Sequence, residues 1–91
     1  MDISINKDER IDDLDLKGLK IIQKEKAFRF GIDAVLLSNF ANVKSKHRVI
    51  DLCTGTGIVP FLLYGKYNPK EVWGIEIQEE MEEMARRSSK L

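Results

Sequence analysis

The 91-residue sequence predicts an α/β chain built around an incomplete parallel sheet of the doubly wound kind. Three observations predict it. The apolar run Val49-Ile50-Asp51-Leu52 leads into a glycine turn, Thr54-Gly55-Thr56-Gly57, and then into a second apolar segment from Ile58. A further apolar strand pattern, Val72 to Ile77, carries Glu76, 21 positions after Gly55. From Gln78 the pattern becomes helical and charged. Strand, helix, strand, helix in this order is a βαβα unit, whose crossover is right-handed and whose ligands sit at the carboxyl ends of the strands.

The elements follow in order. Residues 1–46 form a segment ahead of that unit, and residues 47–91 form the unit itself. Residues 6 to 18 are charged and end on Gly18, which reads as turn or short strand. Leu19 to Gln23 reads as a strand, with a turn-forming glycine before it. Asp33 is placed to N-cap a helix over Ala34 to Ala41 with a wide apolar face. Lys44 to His47 is a polar loop, and Arg48 to Leu52 is a buried parallel strand. The next helix begins near Gly57 or Ile58, tolerates Pro60 in its first turn, and is expected to end near Gly65. Asn68-Pro69 makes a turn before the second strand. On the last helix Met81, Met84, Ala85 and Ser88 share one face, and Glu82–Arg86 and Glu83–Arg87 are spaced to pair.

Two parallel strands and a few helices cannot cover both faces of a sheet. The chain is therefore read as the amino-terminal part of a longer domain, with the last helix running off its end at Ser89-Lys90-Leu91. Val49 to Leu52 is expected to present an unpaired strand edge and apolar patches, so that the chain self-associates.

Composition narrows the classes. Lys plus Arg and Asp plus Glu both number 15, so a protein-wide basic field for nucleic acid is absent. No apolar run approaches the length that spans a bilayer, and the first residues lack a signal pattern, so no membrane partner is expected. A single cysteine fits a reducing, cytoplasmic setting. His47 and Cys53 stand apart, so no metal is expected.

The glycine turn with a carboxylate before it and another after it reads as a nucleotide-type cofactor site. Asp51 bears on which cofactor. A dinucleotide would lay a pyrophosphate over the turn, which Asp51 repels. S-adenosyl-L-methionine carries an ammonium and a sulfonium, which a carboxylate attracts. Pro60 also replaces the third glycine of the dinucleotide fingerprint. Asp51 is read on the ammonium, with helix capping as the alternative. Thr54, Gly55, Thr56 and Gly57 are read as the loop that the ligand approaches, and Glu76 as the acceptor for the ribose hydroxyls. Ile77 is read as packing on the adenine ring or in the core.

Asp51-Leu-Cys-Thr-Gly-Thr-Gly-Ile-Val-Pro-Phe-Leu-Leu63 resembles motif I of class I methyltransferases, which have a Rossmann-like fold. Gly74-Ile-Glu-Ile-Gln78 resembles the acidic loop after their second strand. Leu19-Lys-Ile-Ile-Gln23 and Phe28-Arg-Phe-Gly-Ile-Asp-Ala-Val-Leu-Leu37 resemble the segment before motif I in the tRNA1(Val) adenine methyltransferase family. The resemblance implies methyl transfer from S-adenosyl-L-methionine to the exocyclic amino group of a tRNA adenosine next to the anticodon. It places Phe28 to Asp33 beside the methionine end of the cofactor, which adds Phe28 and Gly31 to the candidate site. The family's Asn-Pro-Pro-Tyr catalytic loop follows the fourth strand, beyond Leu91, so the catalytic residues are unknown and the chain alone is expected to be inactive. Asn68-Pro69 lies on the wrong edge of the sheet to replace that loop. Cys53 stands where many class I enzymes have glycine.

Other readings remain beside this one. The acceptor could be a protein, DNA or a small molecule, or the chain could be a non-catalytic cofactor-binding module. An NAD-dependent oxidoreductase is opposed by Asp51 and Pro60. Lys17, Lys20, Lys24, Lys26 and Arg29 could meet tRNA phosphates or form a solvated face. Gln23 either faces the cofactor or ends its strand. Cys53 is read as a small packed residue, and Trp73 as core, with an interface as the alternative that its indole N–H also suits.

Overall fold

The computed structural model describes residues 3–25 and 32–91 and contains two small sheets and three helices. Along the chain they are β1 (Glu9–Asp13), β2 (Lys20–Lys24), α1 (Ile32–Phe40), β3 (Arg48–Leu52), α2 (Ile58–Tyr67), β4 (Glu71–Ile75) and α3 (Glu79–Ser88). β1 and β2 form an antiparallel hairpin in which Ile11 faces Ile22. β3 and β4 pair in parallel, in the register Val49–Val72, Asp51–Gly74 and Leu52–Ile75, with α2 as the connection. This is a partial arrangement of the Rossmann-like kind.

The hairpin is docked onto α3 rather than joined to the parallel sheet. Ile21 and Ile22 are fully buried, as is Met84 of α3. The outward amide of Ile22 donates to Ser88 Oγ at 2.9 Å, and that hydroxyl donates to Met84 O at 2.9 Å. An α3 side chain thereby satisfies a donor on the sheet edge. Arg87 completes the dock. Its guanidinium donates to both carboxylate oxygens of the buried Glu9, at 2.8 and 2.7 Å, and to Ser4 O at 2.9 Å. Helix α1 is pinned to α2 by Tyr67, whose hydroxyl donates to Ser38 O at 2.9 Å.

The parallel ladder is covered on one face. Val49, Asp51 and Val72 are half-buried, whereas the alternate side chains are open: Ile50 61%, Leu52 71%, Trp73 61% and Ile75 54% exposed. Trp73 is thus a surface residue and not core. It lies opposite Ile50 on the uncovered face, with its indole N–H donating to Glu71. β3 pairs only with β4 among the described residues, which leaves the expected free edge.

Some boundaries moved. α2 continues past Gly65 to Tyr67, because Asn68 takes the left-handed conformation (φ 50°) that ends the helix and donates its amide to Tyr64 O. Gly65 instead lets Leu16 and Leu19 lie against the helix: a Cβ there would come within 2.7 Å of Leu16. α3 ends at Ser88, with Ser89 as its C-cap. Both i,i+4 pairs of α3 are present.

Candidate functional site

The turn between β3 and α2 is built from left-handed residues. Cys53 has φ 58°, Gly55 φ 63° and Gly57 φ 90°. A non-glycine residue rarely adopts this conformation, so Cys53 is neither extended nor packed; it is exposed at the strand exit. Gly57 N-caps α2 with its backbone alone. Its φ of 90° favours glycine, and a Cβ there would also sit a tight 3.2 Å from the Phe61 ring.

The turn is fastened to β4. Thr54 N–H donates to Ile75 O at 2.9 Å, extending the ladder by one bond. The Thr54 side chain lies flat on Gly74, where a Cβ would meet its methyl at 2.7 Å. Its hydroxyl is buried and has no hydrogen-bond partner among the described residues. Glu76 stands one residue beyond β4 rather than inside it. Its Oε1 accepts the amide of Gly55 at 2.7 Å, and its Oε2 accepts the amide of Gln78 at 3.0 Å. Those amides, Gln78 first and Gly55 next, hold its carboxyl below the ordinary carboxylate value.

Asp33, Ala34 and Leu37 of α1, Asp51 to Thr56, and Ile58, Val59 and Met81 line a cleft of about 330 Å³. Two of these residues are carboxylates and none is a cation, so the cleft favours a positively charged group. The space over Gly55 is open, since a Cβ there would meet nothing within 4 Å. Asp51 does not cap α2. Asp33 lies inside the first turn of α1, which begins at Ile32, and faces the same cleft as Asp51.

The structure thus brings Asp51, Thr54, Gly55 and Thr56 into one cleft. Gly57 and Glu76 lie on the other side of the turn, in a second groove that shares Thr54. The link between the two is the Gly55–Glu76 hydrogen bond. Ile77 is 94% exposed beside Glu76 and is not core. Phe28 and Gly31 lie outside the described residues, as do Lys26 and Arg29. Gln23 is buried in β2, donates to Asp12 at 2.7 Å and is not part of the cleft. Lys24 is engaged by Asp8 and Glu80, so it is not a free phosphate contact. Leu37 and Met81 were read from the sequence as residues of helix faces and not as part of the site; only the helical register of each element carried that signal.

No family model matches the chain. Over 54 residues it is 39% identical to the tRNA1(Val) (adenine(37)-N6)-methyltransferase of Bacteroides thetaiotaomicron. The match takes in 58% of this chain and 23% of that protein, so the chain spans about a quarter of that relative's length. Part of the chain is therefore distantly similar to a methyltransferase.

Proposed function

We propose that this chain is the cofactor-binding part of an S-adenosyl-L-methionine-dependent methyltransferase acting on the exocyclic amino group of a tRNA adenosine next to the anticodon. The observation that carries the cofactor reading is the cleft in which Asp33 and Asp51 stand together with no cation among the described residues that line it, beside the open backbone of Gly55. The name of the relative supports the acceptor.

In this reading Asp51 and Asp33 receive the ammonium of the methionine moiety. Thr54, Gly55, Thr56 and Gly57 form the backbone surface under the ligand. Glu76 accepts from the ribose hydroxyls and Ile77 offers an apolar surface to the adenine. Phe28 and Gly31 join the methionine end. Residues 1–46 contribute Asp33, and residues 47–91 contribute the turn and Glu76. When bound, S-adenosyl-L-methionine supplies an electrophilic methyl group, and the chain's own part is to hold and orient its charged ends. A cytoplasmic setting goes with the single free cysteine.

A non-catalytic module is the second reading. Ultraviolet crosslinking of labelled S-adenosyl-L-methionine, with and without unmodified tRNA, tests both readings. The proposal expects labelling that S-adenosylhomocysteine competes away and NAD does not, with no methyl transfer by this chain alone. Competition by NAD would overturn it.

A further inference from the structure

In the cofactor reading Glu76 accepts from ligand hydroxyls, yet in the structure it already holds the protein's own backbone. We propose that Glu76 is a positioning residue: its carboxylate sets the glycine turn by holding the Gly55 amide, and thereby serves parts of the ligand that Glu76 never touches. The ligand arm of this proposal rests on the cofactor reading above.

The bond joins two strand exits across 21 residues of sequence, at 2.7 Å. It is a charge-assisted bond, the stronger kind. The neighbouring backbone is fixed by other means: Thr54 N–H by Ile75 O at 2.9 Å, and Gly57 N–H by Thr54 O at 3.0 Å. Gly55 has no side chain and nothing within 4 Å of where one would be, so packing does not hold it. The Glu76 carboxylate supplies what packing does not. The Gln78 amide, at 3.0 Å on the other oxygen, keeps that carboxylate aimed back at the turn.

The acceptor count agrees. An ionised carboxylate offers about four lone-pair sites. Gly55 and Gln78 take one on each oxygen, and the Ile77 amide also bears on the carboxylate, which leaves room for a ribose hydroxyl. Glu76 can therefore receive the ribose without releasing Gly55. A turn held in place before the ligand arrives has less ordering left to do on binding.

The test uses the full 91-residue chain, two ligands and two variants. The ligands are S-adenosylhomocysteine and its 2′,3′-dideoxy analogue, which has no hydroxyl for Glu76 to accept. The variants are Glu76→Ala and Glu76→Gln; the Gln side chain retains one carbonyl oxygen and turns an N–H₂ toward one of the two amides. Positioning predicts that Glu76→Ala weakens the dideoxy analogue roughly five-fold or more, about one hydrogen bond's worth, with Glu76→Gln in between. An analogue that binds wild type and both variants equally, while S-adenosylhomocysteine is weakened, would overturn it and leave Glu76 a ribose acceptor only.

Amide hydrogen exchange in the ligand-free protein is the second arm. The Gly55 amide should be protected in wild type and exposed in Glu76→Ala, while the Ile22 amide stays protected in both as a check that the fold is intact. If Glu76→Ala loses Ile22 protection, Glu76→Gln takes its place. Should wild type bind neither ligand, the cofactor reading fails and the exchange arm alone decides. A Gly55 amide that exchanges freely in wild type, with Ile22 protected, overturns the positioning role.

Discussion

Thr54 lies so close over Gly74 that a Cβ on the glycine would come within 2.7 Å of the threonine methyl and 2.9 Å of its hydroxyl. The contact is where the glycine turn rests on β4. Gly74→Ala should therefore push the turn off the strand and destabilise the chain by about 1–3 kcal/mol, the usual cost of overpacking. Thr54→Ala in the same chain should recover part of that loss, since it removes the group that is struck. Thermal denaturation of the two single variants and the double variant measures the coupling. Additive losses would mean that the contact does not govern the turn.

The docking of the hairpin gives a second prediction. Ser88→Ala leaves the buried Ile22 amide with no acceptor, so it should cost about 1–3 kcal/mol. Ser89→Ala, one position on and exposed, should stay within about 0.5 kcal/mol. Chemical denaturation of both variants compares them, and equal effects would contradict the role given to Ser88.

The turn and the sheet were legible in the sequence for a physical reason. An apolar run ending at an acid and two glycines has few other ways to fold, and Arg48 to Leu52 is the observed strand. The pairing of Glu82 with Arg86 follows from helix geometry alone. What could not be read depends on partners distant in sequence. Ser88 looked like one more residue on a helix face until Ile22 met it from 66 positions away. Trp73 was read as core with an interface as the alternative, and its position depends on what covers the sheet: it lies on the bare face, opposite Ile50. Gly65 was read as a helix end, but Leu16 and Leu19 use its missing side chain. Asp33 was read as a cap from the residues and as lying beside the methionine end from the resemblance, and the placement of α1 puts it on the same cleft as Asp51.

Acid should loosen the hairpin. The Arg87 guanidinium beside Glu9, with the Asn6 amide, holds the Glu9 carboxyl below its ordinary value of 4.5. A carboxylate with a depressed folded value stabilises the fold above its unfolded value, and that stability is lost as pH falls below 4.5 through the folded value. Arg87→Met should abolish most of this pH dependence. It should also cost about 3 kcal/mol near neutrality by leaving Glu9 buried and unpaired. Stability measured from pH 6 down to pH 3 in both chains checks it. An Arg87→Met variant with wild-type acid sensitivity would refute the assignment to Glu9.

The uncovered face of β3 and β4 should make the chain associate with itself as concentration rises. Trp73 reports on it directly, being the single tryptophan and lying on that face. Its emission should shift to the blue, and its quenching by acrylamide should fall, over a concentration series followed in parallel by sedimentation velocity. A monomer at every concentration with constant Trp73 quenching would contradict this expectation.

The Asp33–Asp51 cleft and the clamped glycine turn should bind the amino-acid ammonium and the ribose that S-adenosyl-L-methionine and S-adenosylhomocysteine share. Calorimetric titration of S-adenosylhomocysteine into wild type, Asp51→Asn and Glu76→Ala, with NAD as the control ligand, tests it most directly. The account predicts saturable binding by wild type, a loss on the order of ten-fold or more in each variant, and no binding of NAD. Unchanged S-adenosylhomocysteine affinity in both folded variants, or saturable binding of NAD, would contradict it.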